Sequence, residues 1–342
     1  MRYDEIVNTG LRVLEEAKID KRWLNLGAET QSQNRLNREY IDSLTFEMRL
    51  LGSALADTST TLFGVKLPAP IMPAALMHGR VLDKLAMSDV WKSRSSFSFT
   101  VDYLEEIAAG VTDAKSLMWL GVGIGKESEI LSRIIENGAK VVLIVKPLRD
   151  KEKALQLIRM GEGLGCVAVG MDIDAMFGEK AFDEIEGPAS LGPQSIEDLK
   201  KYKASTNLPF IVKGVLSIHD AKISKEKIGA DAIVVSTHGG ESLDYAVPIL
   251  KVLPEIRKTV GRNMCIIVDS GFRRGTDILK ALALGADGVC FGTLIVLAFA
   301  AYGRDGVANI LRILYKELQR AMSLTGCKSI ADIDPSIIRF PK

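Results

Sequence analysis

The chain has 342 residues, 47% of them hydrophobic, and its 44 Lys and Arg against 43 Asp and Glu leave a formal net charge of +1. That balance excludes a global field for nucleic acid or an anionic membrane surface, so any anion site must be local. The longest apolar run, Leu294 to Tyr302, is too short for a bilayer span, which takes about twenty residues.

The start, MRYDEIVNTG, carries acidic residues where an export signal would want an apolar run. Cys166, Cys265, Cys290 and Cys327 lie far apart with no C-x-x-C spacing, which predicts buried thiols in a reducing compartment. A soluble cytoplasmic protein is the expectation. Over the first 55 or so residues Ile6, Val7, Leu11 and Leu14 form one helical stripe, followed by the polar segment AETQSQNRLNREY, and the whole is expected to be an N-terminal helical cap.

From about residue 65 short apolar runs alternate with amphipathic helical segments, the pattern of parallel strands joined by crossover helices. Eight strands are expected, at 70–75, 116–123, 140–146, 166–172, 209–214, 232–236, 265–271 and 288–292. Runs apolar on both faces belong to a covered sheet, and eight in βα order predict a closed (β/α)8 TIM barrel spanning 56–342. A doubly wound open sheet is the alternative, but GVGIGK at 121–126 has neither the dinucleotide spacing nor the Ser/Thr of a phosphate loop and is scored as a turn. SFSFT at 96–100 has no convincing crossover helix before it and is taken as a loop. Val307, Ile310, Leu311, Leu314, Leu318 and Met322 predict a last helix stopped near Gly326. No repeat or linker divides the chain, so it is read as one domain.

In such barrels chemistry collects at the C-terminal ends of the strands. The candidates are then Ala74 and Ala75, Lys146, Asp172, Lys213, Ser236 with His238, Asp269 with Arg273, and Gly292 with Thr293. The last two strand ends, in DSGFRRG and FGT, are where glycine amides, a helix N-terminus and the fork of Arg273 are expected to meet a phosphate; a surface turn with a solvated arginine is the competing reading. Lys213, inside the apolar FIVKG, needs a partner: a buried carboxylate such as Asp269, or an oxygen of a cofactor or substrate. His238, followed by two glycines, suits a general base, although a lone histidine is more often structural. His219 and His78 are taken as structural.

The segments GAETQSQNRLN, DTSTTLFGVKLPAPIMPA, LPFIVKGV, ADAIVVSTHGGESLDY, IIVDSGFRRGTDILKALALGADGVCFGT and LTGCKSI resemble the FMN-dependent α-hydroxy-acid oxidases and dehydrogenases, over nearly the whole chain. The resemblance implies an FMN-dependent oxidoreductase acting on a small-molecule CH–OH substrate, built as a tetramer or larger homo-oligomer, with the electron acceptor left open. It implies that Pro73, Ala74 and Ala75 run along the flavin and that Lys213 faces its ring. His238 is then the base and Asp172 its orienting carboxylate, Ser236 lies near both, and Asp269, Gly271, Arg273 and Gly292 hold the phosphate and ribityl chain.

The chain also departs from that pattern. Glu241 stands where the family's substrate arginine is expected, Ile144 and Lys146 replace a glutamine and a tyrosine, Trp23 replaces a tyrosine, and Thr293 replaces an arginine. Glu179 and Lys180 lie where a second substrate arginine is expected. The cofactor groups are kept while the carboxylate-gripping groups are replaced, so a substrate other than glycolate or lactate is expected, with Lys146 either a restored positive charge or a different acid or base. A non-redox isomerase using reduced FMN, and a flavin- or phosphate-binding protein without catalysis, are the two other readings.

Overall fold

The computed structural model describes residues 1–341 apart from 25–26, 78, 94–101, 124–126 and 178–189, together with the backbone alone of residues 21, 23, 80, 127 and 128. Eight parallel strands form its centre: β1 Ile71–Pro73, β2 Met118–Val122, β3 Val141–Val145, β4 Ala168–Asp172, β5 Phe210–Val215, β6 Ala232–Val235, β7 Cys265–Val268 and β8 Gly288–Phe291. The order runs from β1 through β8 back to β2, and the ring closes at a parallel bridge between Leu76 and Leu120, where the Gly121 amide donates to the Leu76 carbonyl at 2.7 Å. All eight expected strands are present and make a (β/α)8 barrel. The expected loop at 96–100 and most of the GVGIGK turn lie outside the described residues.

Strand side chains alternate, and that period of two builds the site. Met72, Trp119, Val142, Ile144, Ala168, Ile211, Val234, Ile267 and Cys290 fill the interior of the barrel in one apolar cluster. One step further toward the C-terminal ends, the same face carries Ala74, Lys146, Asp172, Lys213, Ser236, Asp269 and Gly292. The charged layer therefore stands directly on the apolar plug. Pro73 falls on the opposite parity and is buried where it pairs with Phe291.

The N-terminal region is less uniformly helical than expected. After the helices Tyr3–Glu16 and Ser32–Ser43, Thr45–Phe46 pairs antiparallel with Ile338–Arg339. A hairpin, Thr60–Leu62 with Val65–Leu67, packs Leu62 and Leu67 into the base of the barrel interior. The polar stretch of the cap is helical because its buried stripe is itself partly polar: Gln33, Asn37 and Ile41 lie at i, i+4 and i+8. Asn37 donates to Thr237 Oγ1 at 3.1 Å and accepts from the Ile249 amide at 3.1 Å.

The last barrel helix, Thr293–Leu324, ends just before Gly326, whose φ is +79°. Its length and composition would let it cross a membrane, but 72% of its most apolar window is buried in this molecule and the helix is interrupted at Tyr302 and Gly303, so it is a core helix. The four cysteines are unpaired, three of them buried and Cys265 partly so.

Candidate functional site

Lys146, Asp172 and Lys213 meet at the centre of the mouth. Lys146 Nζ donates to Asp172 Oδ2 at 2.8 Å and Lys213 Nζ to Asp172 Oδ1 at 2.9 Å. Asp172 is thus a shared counter-ion, and both ammonium groups are buried. Asp269, the carboxylate expected to pair with Lys213, lies further away at 4.0 Å, and its Oδ1 accepts from Ser270 Oγ instead.

His238 stands over this triad with its side chain 20% exposed. Its φ is +50°, followed by +67° at Gly239 and +93° at Gly240, a left-handed run that a histidine enters only at a cost in strain. Short contacts hold it there. Ser236 Oγ accepts from the His238 amide at 2.9 Å, and Ser270 Oγ accepts from the amides of Thr237 at 3.3 Å and Gly239 at 3.0 Å. The ring's Nε2 is 3.5 Å from Lys146 Nζ. Its Nδ1 is 3.6 Å from Asp172 Oδ1 but only 2.9 Å from Asp174 Oδ1. The carboxylate nearest the imidazole is therefore Asp174, which sequence reasoning did not single out; its i+2 spacing from Asp172 was the available signal.

Charge accounts for the titration of the group. Burial, the largest influence on His238, disfavours the imidazolium and Lys213 adds to that, but Asp172 and Asp174 draw the other way and the histidine ends above its ordinary value. Burial likewise works to raise Asp172, yet Lys146, Lys213 and His238 outweigh it and hold the carboxyl well below the usual range. For Lys213 burial is again the largest influence and lowers, while Asp172, Asp174 and Asp269 overcome it and raise the ammonium above its ordinary value. Asp172, Asp174 and His238 offer ligand atoms within 4.8 Å of one another, a spacing a metal ion would accept, but two lysine ammonium groups already sit against Asp172.

A cavity of about 690 Å³ opens over the cluster, lined by Lys146, Asp172, Lys213, His238 and Glu241 and, on the same wall system, by Gly271, Arg273, Gly292 and Thr293. Ala74 and Ala75 line it from the first strand end. Its rim suits a phosphate. Ser270 and Gly271 have φ of +69° and +88°, which turn the chain after β7, and the N-terminus of the Thr293–Leu324 helix faces the same space. Of the two arginines in DSGFRRG, Arg274 is committed to Glu317 at 2.5 Å, whereas the exposed Arg273 guanidinium makes no hydrogen bond or ion pair among the described residues. The Thr293 hydroxyl donates to the Leu24 carbonyl at 3.0 Å, so an anion would meet its backbone N–H.

Glu241 and Lys146 both face the cavity. Ile144 lies beneath Lys146 in the barrel interior. The side chain of Trp23, along with His78, Glu179 and Lys180, lies outside the described residues. His219 is on the surface against Asp220.

A barrel with a rim suited to an anion, a buried lysine pair and a histidine at one mouth has the layout of a (β/α)8 enzyme with its site at the C-terminal ends of the strands. The family profile described as FMN-dependent dehydrogenase matches residues 17–195 and 188–340. A 2-hydroxyacid oxidase of Dictyostelium discoideum is 31% identical over 309 residues, covering 84% of this chain and 77% of that protein. The peroxisomal (S)-2-hydroxyacid oxidase GLO3 of Arabidopsis thaliana is 31% identical over 366 residues, covering 98% and 97%. Among solved structures, a mandelate oxidase variant with a monooxide FMN adduct superposes with a TM-score of 0.79 at 28% identity, covering 96% of this chain and 98% of that one. The chain belongs to the FMN-dependent dehydrogenase family. It is an FMN-dependent oxidoreductase, and the isomerase reading is not favoured.

Proposed function

We propose that this protein oxidises a 2-hydroxy acid or a related alcohol bulkier than glycolate or lactate, with His238 as the base. The observation that carries the reading is that Arg273, Lys213 and His238, distant in sequence, line one cavity. FMN, when bound, supplies the two-electron acceptor. Arg273, the Gly271 and Gly292 backbone and the N-terminus of the last barrel helix would hold its phosphate, Ala74, Ala75 and Asp269 would border it, and Lys213 would place a positive charge at its ring. Pro73 and Ser236 would act from behind, as a strand end and as the anchor of the His238 amide.

His238 takes a proton from the substrate hydroxyl or the adjacent carbon, and Asp172 and Asp174 stabilise the imidazolium. Lys146, beside Nε2, offers a donor to a substrate oxygen. Glu241 faces the cavity where the resemblance calls for a carboxylate-binding arginine, and a negative charge there disfavours a substrate carboxylate in that place and favours the uncharged alcohol end of the range. Leu24, Met77, Val81 and Leu82 line the same cavity and favour an apolar group on the substrate. Trp23 is assigned to the substrate side on the resemblance alone.

Anaerobic mixing of the FMN-loaded protein with hydroxy acids and uncharged alcohols of increasing size tests the reading by flavin bleaching. The expected outcome is bleaching by a bulkier member and none by glycolate. His238→Ala should keep the flavin and lose about 10²- to 10⁴-fold in bleaching rate. An unchanged rate would instead support a binding protein without catalysis.

We further propose a cytoplasmic homo-oligomer, tetramer or larger. Met48, Leu50, Leu51 and Leu55, each at least half exposed, support an assembly face. Sedimentation of the wild type and of Leu51→Glu reads the assembly, and comparing turnover under oxygen and with artificial acceptors reads the electron acceptor.

A further inference from the structure

The two carboxylates beside His238 are not equivalent. Asp172 has a lysine on each oxygen, at 2.8 and 2.9 Å, and stands 3.6 Å from Nδ1. Asp174 Oδ1 is 2.9 Å from Nδ1, and its Oδ2 is buried without a hydrogen-bond partner. An ionised carboxylate can only accept, so a contact of 2.9 Å requires the proton on Nδ1; a lone pair there would face the carboxylate lone pairs. Lys213 Nζ is also near Nδ1, but at 3.4 Å against 2.9 Å for Asp174 Oδ1, and the shorter contact sets the tautomer.

The backbone is built to admit this second carboxylate. The sheet register slips between Lys213 and Val215, and Gly214 between them has φ of +98°; a Cβ at Gly214 would stand 2.5 Å from Asp174 Cγ. The short turn Ile173–Ala175 carries Asp174 over that bulge.

We propose that Asp174 is the positioning residue of His238, fixing the Nδ1-protonated tautomer so that Nε2 faces Lys146 as the basic nitrogen, while Asp172 serves as common counter-ion of Lys146 and Lys213. This rests on His238 being the base. The charged groups around the ring are Lys146 from the end of β3, Asp172 from β4, Asp174 from the turn after it and Lys213 from β5. Asp269 acts through Lys213, and Glu241 lies on the same cavity. Of these, Asp174 is the one whose removal takes the nearest negative charge from Nδ1 while leaving Asp172 bonded to both lysines; it also removes the 3.8 Å approach of Asp174 to Lys213.

The test is an NMR titration of the FMN-loaded protein with ¹⁵N-labelled histidine, comparing wild type, Asp174→Asn and Asp172→Asn; the three histidines are assigned through His78→Gln and His219→Gln. In the wild type the neutral His238 ring should carry its proton on Nδ1. Asp174→Asn should lower the His238 midpoint by about one unit or more. Asp174→Ala should in addition give mixed tautomers. Should Asp174→Asn not fold, Asp174→Ser is expected to give the same fall. An Nε2-protonated wild type, or a midpoint and tautomer unmoved in the Asp174 variants and moved only in Asp172→Asn, overturns the proposal. The flavin absorbance of the same samples and the bleaching rate of His238→Ala test the parent reading separately, because the ring signals need neither substrate nor turnover.

Discussion

Asp172 shows how much a single side chain carries when it is the counter-ion of two others. Its replacement by Ala would leave Lys146 and Lys213 buried with their nearest shared acceptor gone, and breaking a buried ion pair costs about 3–5 kcal/mol. Urea unfolding of Asp172→Ala should show a loss of that order, and a loss below about 1 kcal/mol would mean that Asp174 and Asp269 compensate. Arg273 and Arg274 give the opposite pairing, adjacent in sequence and different in commitment. With its guanidinium facing the cavity, Arg273→Ala should weaken FMN binding by about 10- to 100-fold, the range of one charge-assisted contact. Arg274→Ala, which removes the Glu317 pair, the stacking on Tyr3 and the approach to Asp4 but no group committed to the anion, should leave FMN affinity within about twofold, as read by flavin fluorescence on titration. Its place in the turn made Arg273 the expected anion ligand, and the Glu317 contact shows that its neighbour Arg274 is already taken.

The elements outside the barrel hold the mouth in shape. The first helix supplies Tyr3, Val7 and Leu11 to the cavity wall and lies close against the last barrel helix at Gly10, where a Cβ would stand 2.3 Å from the Leu297 carbonyl oxygen. Gly10→Val is expected to force the helices apart at a cost of about 1–3 kcal/mol and to weaken FMN binding with it. Thermal melts with and without FMN check both, and a variant that melts and binds like wild type would show the helix to be dispensable. Helix Ser32–Ser43 fixes the other side: Arg38 donates to the Gly271 carbonyl at 3.1 Å and to Asp277 at 2.8 Å, while Asn37 bonds Thr237 next to His238. The apolar pattern of this helix is weak because the face it buries carries Gln33 and Asn37. The exposed Arg35–Glu39 pair and the Arg38–Asp42 pair, both at i, i+4, were the legible sign.

Across the whole molecule the mouth couples stability to pH in two directions. Asp172 titrates below its unfolded value of about 3.9, so its contribution is present above that pH and is lost as pH falls through the depressed folded value. His238 titrates above its unfolded value of about 6.5, so its contribution is complete below that pH and is lost as pH rises through the raised folded value. Both are in place between roughly pH 4 and 6.5. Denaturant midpoints should therefore be highest in that window, and His238→Gln should flatten the alkaline limb. Turnover should run the other way. A base must be neutral, so bleaching rates should rise through the His238 midpoint as the protein gives up part of its stability; rates independent of pH from 6 to 9 would argue against His238 as the base.

Strand periodicity and crossover spacing are local properties that survive without knowledge of contacts, and they carried the eight strands, their parallel order and the set of residues at their C-terminal ends. Lys213, His238 and Arg273 were legible on that basis. The hairpin under the barrel, the partly polar stripe buried by the Ser32–Ser43 helix, the commitment of Arg274 to Glu317 and the nearer carboxylate at His238 emerge only in the folded chain. Each depends on which groups, remote in the chain, approach within hydrogen-bond distance. A difference of 0.7 Å between 2.9 and 3.6 Å separates the bond to Asp174 from the looser approach of Asp172, and no spacing along the sequence encodes it.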